Sequence, residues 1–236
     1  MSSATSLEEL YRRAITFPGA GVALASLASA LTHVEEELER SAAQISVRIK
    51  AKHAILGDEL HPEDRKYDEY DLERTTKALL PKIVRGGFIL TLWSTFEVAA
   101  LDIAEYAHQE VGRPLKADPF RKGCFLKNLE TVFSKGLGIP AFPDQIVYKR
   151  IDELRLFRNA LVHHDGKVAK LPATLQRATF EEYAAIGLHQ YRDIRHEYVV
   201  SGAAFSRQAL ELVSAYLISL AERVYANLHP KPLADA

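Results

Sequence analysis

TTKALLPKIVRGGFILTLWSTFEVAALDIAEYAHQEV, residues 75–111, decides the fold class. Leu79, Leu80, Ile83, Val84, Phe88, Leu92, Trp93, Phe96, Ala99, Ala100, Ile103 and Tyr106 recur at helical steps. They form a broad apolar stripe along one side of a long helix. Gly86-Gly87 marks a kink or a close approach to another helix. Gly112 and Pro114 stop the pattern.

Upstream, Val22, Leu27, Leu31, Val34, Leu38, Ile45, Ile49 and Leu56 predict a helix over 21–56, with Gly57 as its C-cap. The run GDELHPEDRKYDEYDLER, residues 57–74, holds eight acids and three Lys/Arg and has no apolar stripe. It reads as a solvated connector, with an acidic docking surface as the functional alternative. Downstream, residues 116–143 predict a shorter helix followed by the loop GLGIPAFP. Asp144 is a good N-cap after Pro143. Val147, Ile151, Leu154, Phe157 and Leu161 then give a helix one apolar face, ending near His164 with Asp165-Gly166 as its stop.

Residues 167–185 are expected to be irregular or weakly helical. GLHQYRDIRHEYVVS alternates like two short strands turning near Asp193. A last helix starts near Ser201 or Ser206 and carries Leu210, Val213, Leu217, Leu220, Val224 and Leu228. That stripe faces a core, or alternatively a dimer partner. The expected architecture is all-α: a helical bundle of four to five helices with a small β-hairpin before the last helix. Its parts are an N-terminal long helix and acidic connector (1–74) and a helical bundle (75–236).

The composition suits that picture. The chain has 236 residues, 47% hydrophobic and 26% charged, which is ordinary for a globular protein. A net charge of −1 excludes a protein that coats nucleic acid through bulk charge. The charge is nevertheless split. Residues 113–177 hold 13 Lys/Arg against 6 Asp/Glu, which suggests a local site for an anion such as phosphate. A single cysteine, Cys124, excludes an internal disulfide and a multi-cysteine zinc module, and fits a reducing, cytoplasmic setting. Its basic neighbours in KGCFLKN favour its thiolate, but a lone cysteine is ordinarily inert packing. No segment is expected to reach the 18 or so apolar residues of a membrane span. The stretch GVALASLASALTHV after Arg12-Arg13 imitates a secretion signal, but it is rich in Ala and Ser and runs into EEELER without a change of period.

The chemistry sits in LRLFRNALVHHDG, residues 154–166. Asn159 and His163 are four apart and share a helix face, so the amide can orient the imidazole. Arg158 lies about 140° around the helix from His163. The two converge only if the helix end unwinds or a second copy supplies the complement. In the last turn the helix dipole favours a protonated imidazole. A guanidinium that grips a phosphate beside a proton-moving imidazole is what metal-free RNA cleavage requires. The 2′-hydroxyl loses a proton, the departing 5′-oxygen gains one, and the phosphorane charge is neutralised.

Arg158 and Asn159, followed by His163 at the four-residue spacing or His164 at five, resemble the motif of the HEPN superfamily: Arg, four to six residues, His, with a polar residue after the Arg. WSTFEVAALDIAEYA resembles the helix that packs against the motif helix in that family. The hairpin and Ser-started last helix look like those of several bacterial members. The resemblance covers residues 75–228. It implies a homodimer whose two motifs meet in one composite, metal-independent endoribonuclease site leaving 2′,3′-cyclic phosphate ends. It also implies RNA as substrate, a toxin or phage-defence role, an antitoxin or regulatory partner, no cofactor, and Glu97 as a supporting acid with Asp102 behind it. Inactive members make a non-catalytic dimeric module, binding a protein or nucleotide, the rival reading.

On the residues alone, Arg158 can instead pair with Asp152 or Glu153, and His163 can cap the helix. His163, His164 and Asp165 point in different directions, so one metal ion does not easily take all three. His189 and His196, seven apart on strands, face opposite sides. No CxxC, HExxH, Walker or GxSxG motif occurs.

Overall fold

The computed structural model describes residues 18–113, 115, 123–164, 166, 167, 169, 188–192 and 197–229. Its helices are α1 (Pro18–Leu56), α2 (Pro62–Arg74), α3 (Leu80–Glu110), α4 (Phe125–Glu130), α5 (Gln145–His164) and α6 (Ala203–Leu228). The protein is all-α in character. Two five-residue segments, β1 (Leu188–Arg192) and β2 (Glu197–Ser201), pair antiparallel, with Leu188 opposite Ser201 and Arg192 opposite Glu197. The turn expected near Asp193 lies outside the described residues, as does most of 167–187.

The acidic run corrects the expectation of a connector. Residues 62–74 are helical and continue through one π-helical stretch, Thr75–Leu79, into α3. The signals are polar ones. His61 Nδ1 accepts the Glu63 N–H at 3.3 Å, Pro62 takes the first helical position, and Glu63 and Asp64 face the positive end of the dipole. A helix with no buried residue has no apolar stripe to betray it. A second π-helical stretch, Thr131–Leu137, follows α4 and ends at left-handed Gly138. Gly57 (φ 49°) caps α1 as expected. At the end of α3, left-handed Gly112 turns the chain so that Arg113 N–H reaches the His108 carbonyl at 2.9 Å.

The chain divides into two compact units. The first draws on residues up to 27, 91–155 and 209 onward. Its core is aromatic: the Phe96 ring lies 5.0 Å from Trp93, 5.6 Å from Phe125 and 5.6 Å from Tyr216. Leu210, Val213, Leu217, Leu220 and Val224 are buried, so the last helix's stripe is core. Burying Trp93 and Phe96 almost completely contributes several kcal/mol of apolar transfer, about 2–3 per side chain.

The second unit draws on residues 28–90 and 156–208. No boundary falls at Arg74; both sides of it belong to this unit. Here α1 and the α2–α3 helix form an antiparallel hairpin. Lys52 and His53 bond Asp68 at 2.7 and 3.0 Å, and Arg85 Nε donates to Glu35 at 2.8 Å. Seventeen residues back along α1, from Lys52 to Glu35, match seventeen forward, from Asp68 to Arg85. Gly86 is buried, and a Cβ there would stand 3.8 Å from the Leu161 side chain of α5, the close approach expected at Gly86-Gly87, while Gly87 is exposed. Phe157 and Phe205 meet edge to face at 5.1 Å.

Two stripe residues were misplaced by period alone: Val22 and Ile83 are exposed, and Leu24 is buried in place of Val22. One stretch within residues 62–110 is long and apolar enough to cross a membrane, contrary to the expectation, and half of it is buried inside the protein. The core residues Phe88, Ile89, Leu92, Trp93 and Phe96 account for that apolarity.

Candidate functional site

The motif helix α5 starts as the sequence predicts. Asp144 Oδ1 accepts the Val147 N–H at 2.8 Å, which sets the phase of the helix. Ile151, Leu154, Phe157 and Ala160 are buried, so Arg158 and Asn159 fall at the border of core and solvent, and His163 and His164 are exposed. The helix closes on left-handed Gly166, whose N–H reaches the Ala160 carbonyl at 2.9 Å. The two histidines therefore stand in the final turn, at its carbonyl end. Asp165 lies outside the described residues.

Arg158 Nη1 donates to Asn159 Oδ1 at 3.0 Å. Its Nε is buried without a hydrogen-bond partner. The acids that could have neutralised it are committed to other cations. Asp152 accepts from Arg155 at 2.7 Å, and Glu153 lies 3.7 Å from both Lys149 and Arg150. Among the described residues Arg158 forms no ion pair.

The expected Asn159–His163 hydrogen bond is not formed. A charged donor on the adjacent residue outcompetes an imidazole one turn away for the amide oxygen. Neither imidazole forms a hydrogen bond to a described residue; the two rings stand 6.4 Å apart, centroid to centroid, at 66°. Among the described residues no group of three or more His, Cys, Asp or Glu comes together to hold a metal ion. Cys124 is a free thiol, half-exposed. His196 lies outside the described residues, and for His189 only its backbone place in β1 is described.

Glu97 has a different partner from the one the family resemblance suggests. It accepts the Trp93 indole N–H at 2.7 Å, one turn away on α3. A buried indole needs an acceptor, and the i, i+4 carboxylate supplies it. Glu97 belongs to the first unit and the RNALVHH residues to the second. Asp102 is exposed.

Sequence reasoning missed the Lys52–His53–Asp68 cluster. Hydrogen bonds from Lys52 first, and His53 next, hold the Asp68 carboxyl below its ordinary 3.8. Partners sixteen residues apart on two polar faces leave no periodic signal. It also missed buried His108, whose ring packs on Gly136 so closely that a Cβ there would stand 3.0 Å from it.

No family model, no curated protein and no solved structure matches this chain.

Proposed function

We propose that this chain is a metal-independent endoribonuclease of HEPN type, with a composite site built from two copies of α5. One observation carries the reading: Arg158 is half-withdrawn from water, forms no ion pair among the described residues, and keeps a buried N–H unused. An unpaired buried donor costs roughly 1–3 kcal/mol. A guanidinium kept in that state, one turn before two exposed imidazoles, suits an anion from outside, and a scissile phosphate is the anion the motif implies.

In this reading Arg158 neutralises the phosphorane, and Asn159 holds the guanidinium rather than the imidazole. His163 or His164 takes the 2′-hydroxyl proton, and the departing 5′-oxygen is protonated by the imidazole of the second copy. The products carry 2′,3′-cyclic phosphate and 5′-hydroxyl ends. The reading takes the chain as cytoplasmic, toxin- or defence-related, held in check by an antitoxin or regulatory protein. Its fold is a HEPN-like bundle completed by a hairpin before α6. Glu97 acts in it only as the support of Trp93.

The rival is a non-catalytic dimeric module of the same fold, binding a protein or nucleotide. What favours it is that no described side chain orients either histidine. A gel assay on mixed cellular RNA in EDTA, with His163→Ala and His164→Ala beside wild type, separates the two. Cleavage by wild type, lost in one variant that keeps its assembly, supports the nuclease. RNA left intact by all three supports the module.

A further inference from the structure

The hairpin of α1 and α2 carries a surface that neither the motif nor the core uses. Between Leu38 and Ala78 the only buried apolar residue is Leu60, so this end of the hairpin is a two-helix arm. Its two helices differ in charge. Residues 40–56 contain Arg40, Arg48, Lys50 and Lys52 and no acid, whereas residues 57–74 hold eight acids and three Lys/Arg.

The helical period sorts these residues onto faces. Arg48, Lys52 and Ile55 stand at i, i+4 and i+7 on α1; Asp64, Tyr67 and Asp71 stand at i, i+3 and i+7 on α2. At 100° per residue the two rows centre roughly 70–80° from the seam marked by the Asp68 bonds, displaced in the same rotational sense, with Lys52 bridging seam and row. In antiparallel helices that places both rows on one side of the hairpin. The surface holds two large apolar side chains open to water, Ile55 at 83% and Tyr67 at 67% exposure. Arg48 and Asp64 form no ion pair among the described residues; Asp71 stands 3.9 Å from Arg74 and remains half-exposed.

The geometry points to a second copy of this chain as the occupant: two arms associate face to face about a two-fold axis parallel to their helices. That operation sets the Arg48–Lys52–Ile55 row of each copy beside the Asp64–Tyr67–Asp71 row of the other. The antiparallel register brings Arg48 level with the opposing Asp71, and Ile55 against the opposing Tyr67. The surface is complementary to itself, as a closed two-fold interface requires. A polyanion such as RNA, or an anionic bilayer, meets the acidic row as a repulsive neighbour. This interface is separate from the composite site proposed above and does not depend on it.

Sedimentation of the full chain over a concentration series tests the assignment. Arg48→Glu alone and Asp71→Arg alone each set like charges across both symmetry-related contacts. Each should weaken self-association about tenfold or more. An equimolar mixture of the two variants, and the double variant on one chain, restore opposite charges and should associate like wild type. Far-ultraviolet circular dichroism checks that the helices persist. Wild type that stays monomeric, or single variants that associate undiminished, overturns the arm interface. In the second case an Arg158→Ala variant that lowers the mass places the contact at the motif instead, so failure of the arm is told apart from failure of the composite site.

Discussion

Arg223 and Arg158 are both half-buried arginines on long helices, one in each unit. Arg223 spends its whole fork on carbonyls. Nε donates to Ser219 at 3.1 Å, Nη1 to Pro140 at 2.8 Å and Nη2 to Ala141 at 3.0 Å. Tyr216 adds its hydroxyl to the Ala141 carbonyl at 3.0 Å. Burial pulls the Arg223 guanidinium down from its ordinary value and pushes the Tyr216 phenol up. Arg158 makes one side-chain hydrogen bond, to its own neighbour, and has a buried Nε with none. The contrast separates an arginine that closes a loop from one whose donors remain available.

Four experiments break or sharpen that contrast. The largest effect is expected from Arg158→Ala, which should lower RNA cleavage about 10³-fold while leaving stability unchanged or raising it by up to about 1–3 kcal/mol, since an unpaired buried donor is removed. A variant that loses its fold instead would make Arg158 structural like Arg223. Next, of His163→Ala and His164→Ala, the one that removes the proton carrier should cost about 10²-fold in cleavage rate. Equal, small losses would deny both histidines the role.

Arg223→Ala is the mirror of the first test. Three carbonyls lose charged donors, and a destabilisation of about 2 kcal/mol is expected in urea unfolding, with cleavage per folded molecule unchanged. The smallest effect concerns pH. The Asp68 carboxyl is held below its unfolded value, so its bonds to Lys52 and His53 stabilise the arm above pH 3.8. That contribution fades as pH falls through the lower folded value. Amide exchange in α2 should quicken over that acid range in wild type and show no such step in Asp68→Asn.

The same contrast explains what could be read from the chain. The stripes of α3, α5 and α6 were legible because burial writes a period into apolar residues. The Asp144 cap and the stops at Gly57, Gly112 and Gly166 were legible because turn chemistry is local. α2 was not, because it is held by a cap, charge pairs and continuity with α3 rather than by an apolar face. The π-helical stretches left no sequence signal, since their extra residue changes phase without changing composition. Arg158, Asn159, His163 and His164 were placed correctly on one helix end, but which pair would bond was not. That choice is a competition between a charged and a neutral donor, and spacing alone describes only the neutral one. Glu97 was assigned a role by analogy, while its nearest claimant was an indole on its own helix.

The equal spacing of the two clamps in the hairpin, Glu35–Arg85 and Lys52–Asp68, also bears on how this chain can vary in length. A residue gained or lost between Asp68 and Arg85 turns everything beyond it by about 100°. One clamp then opens unless α1 changes by the same amount between Glu35 and Lys52. Insertions and deletions should therefore be confined to the Gly57–His61 bend, beyond both clamps, where the arm can lengthen or shorten without putting its two helices out of step.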